Sequence, residues 1–302
     1  MSDYEDAFDL EIKNKVMNKL IFIKSDLCNG NQNCYYHENT AHCSFKIGET
    51  LRYHLPFCVY SEAEYLELYK KGRFKNIDNI LSHIKTNRLP DRTGPRNGIY
   101  SETLLDMLVM IEYPGIKKAC IRTLHRQKSD NNELKGFDSI HMLMSKDEVF
   151  LILGQAKLGD RDYCIRGIKE DIKKVSFLYT YDELAFIADK RGSLDPEIRT
   201  LLSELNDLFI DNQKKEISVK QKQISEFFYD NNVKIIIPCL LAYEKSELYG
   251  QNFDSNYTKE ITSIMNSVKG LRGTINLDTD LFFMFFPIFS KNELREGMNI
   301  DE

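Results

Sequence analysis

From Tyr100 onward the apolar positions keep a regular spacing. Leu104, Leu105, Leu108 and Ile111 recur at helical intervals behind Ser101, which predicts a capped helix that Pro114-Gly115 ends. Lys117 to His125 reads as a strand, Ser129 to Asn132 as a turn, Phe137 to Met144 as a second strand and Glu148 to Lys157 as a third, with Lys146-Asp147 as the tight connection. Apolar and charged residues then alternate at helical spacing from Asp162 to about Tyr179, with Ile165, Ile168, Ile172 and Phe177 near one side. Val233 to Tyr243 is apolar except for Lys234, the pattern of a strand buried on both faces. The succession is helix, three strands, helix, strand.

Between the last two of these, residues 181–230 read as a helical insertion, with Asp195-Pro196 as N-cap and first helical residue of a segment reaching Ile210. A helix near Thr258 to Lys269, a strand over Leu281 to Phe289 and a short helix over Lys291 to Gly297 complete the chain. The aromatic run Leu281 to Phe286 reads as buried core in preference to a docking edge. Before Tyr100 the pattern is looser. An apolar stretch at Leu20 to Ile23 precedes a loop from Cys28 to Cys43, and Leu55 to Tyr60 reads as a short strand. Ser61 followed by Glu64 marks the start of a helix that Gly72 stops, and a further helix covers Asn76 to Thr86. The Pro- and Gly-rich segment Leu89 to Gly98 is the internal boundary. It divides an α-rich N-terminal extension, 1–90, from an α/β domain, 91–302.

The chain of 302 residues is 42% hydrophobic, enough for a substantial core. Seven irregularly spaced cysteines, an acidic opening and no hydrophobic leader read as a reduced, cytoplasmic protein. The longest apolar run is far short of the ~20 residues that a spanning helix needs, so no membrane association is expected. A net charge of −5 argues against a chain that grips nucleic acid over its whole surface. Tyr113 to Thr180, however, carries 13 Lys/Arg against 9 Asp/Glu. The basic side of the chain therefore surrounds the predicted hairpin.

That hairpin holds the most specific chemistry. Asp138 stands near the start of one strand, and Gln155 and Lys157, two apart at the end of the next, point the same way. Phosphodiester hydrolysis needs a divalent ion held by oxygen, a positioned water and a cation that steadies charge on the phosphate. Asp138, the Gln155 amide and the Ala156 carbonyl are the candidate ligands for Mg2+ or Mn2+, and Lys157 the group that aligns water. Glu102, on the preceding helix, is a fourth candidate, placed to bind a second ion or to fix Lys157. His141 falls on the opposite strand face and is read as structural.

Asp138 with Gln155-x-Lys157 in this order of elements resembles the PD-(D/E)xK nuclease superfamily, which implies a restriction-endonuclease-like αβββαβ core: a mixed sheet flanked by helices. Gln155 replaces the usual acid, as in the Mrr-like restriction branch, and removes one negative charge from the metal site. A closer likeness runs through Ser101-Glu102, Lys135 to His141, Gly154 to Lys157, Ile237 to Tyr243 and Phe285 to Leu294, and is to the HamA/AbpA family of Hachiman anti-phage systems. It implies a DNA-cleaving effector restrained by a HamB-like helicase subunit.

Two other readings stand beside the nuclease. One is a nuclease fold with an impaired site that binds DNA or clamps a helicase. The other is a zinc-stabilised adaptor using Cys28, Cys34, His37, His42 and Cys43, whose spacing matches no usual zinc knuckle or ribbon. Cys58, Cys120, Cys164 and Cys239 read as packed small residues, and the phosphate-cradling glycine loops of nucleotide hydrolases are absent from the sequence.

Overall fold

Strands buried on both faces need helices on both sides, and the chain supplies them. A computed structural model describes residues 3–18, 21–28, 30–38, 42–89, 97–120, 136–144, 148–189, 196–272, 277 and 279–300. In chain order, α1 (Asp3–Phe8) runs through a π-helical segment into α2 (Asn14–Asn18), followed by β1 (Ile23–Ser25), β2 (Gln32–Tyr36), α3 (Cys43–Val59), α4 (Glu62–Lys70) and α5 (Ile77–Asn87). Then come α6 (Asn97–Glu112), β3 (Lys117–Cys120), β4 (Ser139–Met144), β5 (Val149–Asp160), α7 (Arg161–Lys174), α8 (Phe177–Asp189), α9 (Pro196–Asn212) and α10 (Ile217–Asp230). β6 (Val233–Glu244), α11 (Phe253–Val268), β7 (Thr279–Ile288) and α12 (Lys291–Met298) close the order.

The strands form one mixed sheet in the order β1-β2-β7-β6-β5-β4-β3. β3, β4 and β5 are antiparallel neighbours, whereas β5, β6, β7 and β2 run parallel. Alternation along each strand sorts the core into two layers. On β6, Leu240 and Ala242 pack with Ile47, Leu51, Leu104 and Leu108 of α3 and α6. Cys239, Leu241 and Tyr243 face the other way, into a core with Ile168 and Ile172 of α7 and Ile261 and Ile264 of α11.

Several sequence expectations hold. Ser61 caps α4 in a reciprocal capping box with Glu64, Gly72 adopts φ +67°, and Asn76 caps α5. β7 lies inside the sheet between β2 and β6, so its aromatic run is core. Other expectations are corrected. Leu55 to Tyr60 is not a strand but the last turn of α3, which continues through Pro56. A short apolar run fits a buried helix as well as a strand, and here Leu55, Phe57, Cys58 and Val59 are all buried within one helix end. The loop from Cys28 to Cys43 contains β2, which adds to β7.

Ser101 does not cap α6. The helix starts at Asn97, and the Ser101 hydroxyl donates to the Gly98 carbonyl at 3.0 Å. The helix expected over Asp162 to Tyr179 is two. It stops at Val175, and Ser176 restarts the chain by accepting the Tyr179 N–H at 3.3 Å at the head of α8. The turn at Ser129 to Asn132, the Lys146-Asp147 connection, the end of the strand reaching His125, Asp195 and most of the Leu89 to Gly98 boundary lie outside the described residues.

A buried charge ties these layers together. On α6, Asp106 Oδ2 lies 2.7 Å from His54 Nε2 and 3.2 Å from Cys58 Sγ, both on α3, and 2.8 Å from Lys118 Nζ on β3. Its other oxygen is 3.0 Å from His141 Nε2 on β4, and His141 Nδ1 meets the Ser139 hydroxyl at 2.9 Å. Lys118 also donates to the Phe57 carbonyl. Burial alone would raise the Asp106 pKa, but the Lys118 charge and the hydrogen bonds of His141 and His54 hold it well below the ordinary value. Elsewhere, α3 and α12 touch backbone to backbone. A Cβ on Gly48 would come within 2.1 Å of the Leu294 carbonyl oxygen, and one on Gly297 within 2.1 Å of that of Phe45.

Removing one partner of such a network leaves the rest buried and unpaired. Asp106→Ala is expected to destabilise the fold by about 3–5 kcal/mol in urea denaturation. Adding Lys118→Met to it should recover part of that loss. A single-variant cost near that of a surface substitution would show that the network carries no such load.

Candidate active site

β4 and β5 form a hairpin in which Ser139 pairs with Gly154. The Asp138 N–H also donates to the Gly154 carbonyl, at 2.8 Å, one position out of that register, so the strand bulges here and Asp138 and Ser139 both stand opposite Gly154. Ile140, Met142, Leu151 and Leu153 lie in the α7-side core. By the two-residue period of a strand, Gln155 and Lys157 share that face, and Asp138 is on the same side, since its charge acts on Lys157 and Asp171 acts on it. All three expected residues therefore meet at one end of the hairpin, beneath α7.

Asp138 reaches across the strand end, and its Oδ2 accepts the Ala156 N–H at 2.7 Å. In an extended strand a residue's C=O points to the same edge as its own N–H, so the Ala156 carbonyl faces the edge where that carboxylate stands. Gln155 is buried and in register with Cys239 on β6. Burial keeps the Cys239 thiol protonated, which gives the site a neutral floor.

The sequence reading missed a fourth group. On α7, Asp171 Oδ2 lies 2.5 Å from Lys157 Nζ. One turn earlier, Gly167 makes room for the lysine, since a Cβ there would come within 3.0 Å of Lys157 Cε and 3.1 Å of its Cδ. α7 thus holds Lys157 at two points, by a missing side chain at Gly167 and by a carboxylate at Asp171. No motif spacing marks this pair. The available signal was an aspartate and a glycine four apart on the buried side of a helix next to the hairpin.

Charges at this site act on one another. Burial pushes the Asp138 carboxyl up to about 6, against the pull of the Lys157 charge and the Ala156 N–H, with Asp171 adding to the rise. Burial pulls Lys157 down, but its hydrogen bond to Asp171 and the charge of Asp138 outweigh that and leave its pKa raised. A protonated lysine stands beside two acids.

Glu102 is placed differently. It is half-buried in the second turn of α6, the helix on the opposite face of the sheet, where Leu105 covers Gly154 from behind. The ion pair with Lys157 is made by Asp171. His141 also lies on that opposite face, bound to Asp106 as a structural group. The five residues weighed for zinc have separate roles. Cys28 and Cys34 stand with their sulfurs against each other. His37 Nδ1 lies 2.8 Å from the Glu38 carbonyl oxygen, its Nε2 accepts the Phe289 N–H at 2.9 Å, and burial holds its pKa at about 4. His42 sits 3.8 Å from Glu293, and Cys43 is buried and outside any disulfide. Among the described residues the group that approaches metal geometry is His54, Cys58 and Asp106, where the Lys118 ammonium already supplies the cation.

No described helix is long and apolar enough to cross a membrane. A family model described as HamA matches residues 11–299, nearly the whole chain and all of the site residues above. No curated protein matches it.

An acid held at a raised pKa costs the fold stability once ionised. The penalty from Asp138 is absent below its unfolded pKa and complete above about pH 6. Asp138→Asn keeps an acceptor for the Ala156 N–H and removes the penalty. In denaturation with chelator present, its stability advantage over wild type should widen from pH 5 to pH 8, to on the order of 1–3 kcal/mol. A gap that stays constant or shrinks would contradict the placement of that carboxylate.

Proposed function

The chain belongs to the HamA family, which places it among Hachiman defence proteins, and from that premise we propose that it is the nuclease effector of such a system, hydrolysing DNA phosphodiester bonds with a divalent ion. The observation that carries this reading is the meeting of Asp138, Gln155 and Lys157 on one face at the end of β5, with the Asp138 carboxylate on the Ala156 N–H. The order α6, β3, β4, β5, α7, β6 supports a PD-(D/E)xK core, because it is the succession which that superfamily's likeness implies.

The donor set suits a hard cation. A carboxylate from Asp138, an amide from Gln155 and the backbone carbonyl of Ala156 are all oxygen ligands, the kind that Mg2+ and Mn2+ take. Bound there, such an ion would supply Lewis-acid stabilisation of the phosphate and a water acidic enough to attack. Lys157 holds its ammonium over the same strand end, where Nζ can donate to the attacking water or to a phosphate oxygen. Asp138 must be ionised to serve, and a bound cation would itself favour the ionised form. On the outer side of α7, Arg166 and Lys173 are exposed, and Lys174 is exposed next to Asp171, a basic surface beside the site for a DNA backbone. Restraint by a helicase subunit rests on the family alone.

One observation favours a second reading. Gln155 stands where an acid would supply a second negative charge on the strand, as expected for a nuclease fold that binds DNA or a helicase without cutting. Incubating the purified chain with linear and circular DNA and Mg2+ or Mn2+ separates the two. The nuclease reading expects cleavage that chelator abolishes and that Lys157→Ala lowers by about 100-fold or more while DNA binding persists. Binding without cleavage under every ion, in the free chain and in the complex, would leave the second reading.

A further inference from the structure

One carboxylate and one amide bring a divalent ion a single negative charge from the protein, at the low end of what such sites carry, and among the described residues the hairpin has no other acid on the site face. The helix above it does. Asp171 projects from α7 onto Lys157, with Nζ and Oδ2 2.5 Å apart, and both side chains are largely withdrawn from solvent. Lys174, 3.6 Å from the other Asp171 oxygen, is an exposed residue of the same helix. Asp138, whose carboxylate sits on the Ala156 N–H, acts on the same ammonium through its charge. Two carboxylates, one from a strand end and one from a helix, therefore bear on a single positive charge. Gly167 favours this, since a Cβ there would press on the lysine stem and make it give by a few tenths of an ångström.

Resting on the nuclease reading above, we propose that Asp171 is the second acid of the metal site, supplying from α7 the charge that Gln155 lacks on β5. In this structure the Lys157 ammonium pairs with Asp171 and feels the charge of Asp138. With a divalent ion bound, Asp138 and Asp171 would hold it and Lys157 would be free to donate to the water and the phosphate. The acid has moved from the strand to the helix. The lysine serves both as a stand-in for the ion and as the group the ion sets free.

Three consequences separate this from a structural salt bridge. A lost ligand weakens the ion, a ligand restored elsewhere recovers it, and removal of the competing ammonium strengthens it. The measurement is Mn2+ binding to the full-length chain without DNA, read from the electron paramagnetic resonance signal of free Mn2+. Asp171→Asn should weaken binding by about 10-fold or more. Gln155→Glu combined with Asp171→Asn should bring affinity back to within about threefold of wild type. Lys157→Met should bind Mn2+ more tightly than wild type, and this variant keeps Asp171 should its asparagine form fail to fold.

Wild-type affinity in Asp171→Asn, no recovery in the double variant, or unchanged or weaker affinity in Lys157→Met would each overturn the proposal. Asp138→Asn separates the two levels of failure. If it abolishes Mn2+ binding while Asp171→Asn does not, only the role of Asp171 falls. If neither variant changes binding, the metal site itself falls with it.

Discussion

A carboxylate with almost no water around it needs several partners at once, and for Asp106 those partners come from α3, β3 and β4. Ionised and held well below its ordinary pKa, it is satisfied only when Lys118, His54 and His141 are all in place. This is the constraint on which the arrangement depends. It fixes the N-terminal helices against α6, and through His141 and Ser139 it fixes β4 as well. The two N-terminal strands extend the same sheet beyond β7, so the first sixty residues are bound to the rest by sheet pairing on one flank and by a buried charge on the other.

The β4–β5 hairpin has two working faces. Toward α6 it carries His141 and Ser139 and takes part in that network. Toward α7 it carries Asp138, Gln155 and Lys157. The alternation of a strand lets one element be held from behind while its front presents reactive groups. The back face is tight, since Leu105 fills the space above Gly154. A rigid backing of this kind is what a site needs when charges must stay within hydrogen-bond reach of one another.

Much of this was legible in the sequence because it follows from period. Strands β5, β6 and β7 announced themselves by continuous or alternating apolar residues, and Gln155 and Lys157 fell on one face by a spacing of two. What period does not carry was missed. The run Leu55 to Tyr60 looked like a strand because short apolar segments have no period, and only burial on all sides showed it to be a helix end. The break at Val175 left the apolar stripe of α7 and α8 nearly continuous, so one helix was expected where there are two. Asp171 was invisible for another reason. Its partner is 14 positions earlier in the chain, and which charged residue of a helix faces a strand depends on how the helix docks. The lock at Asp106 was hidden likewise, being assembled from four separate elements.

The glycine contact between α3 and α12, together with the place of β7 inside the sheet, bears on how this protein folds. Residues 279–298 supply an interior strand and the helix that presses on α3. β2 reaches β6 only through β7, and its Cys34 pairs with Phe285, from the far side of the sequence. Pairings between such distant segments close long loops before they gain contacts, so the sheet cannot be assembled by local steps alone. The alignment of Lys157 under α7 thus belongs to the whole fold, and a fragment that lacks β7 loses the strand that joins its two flanks.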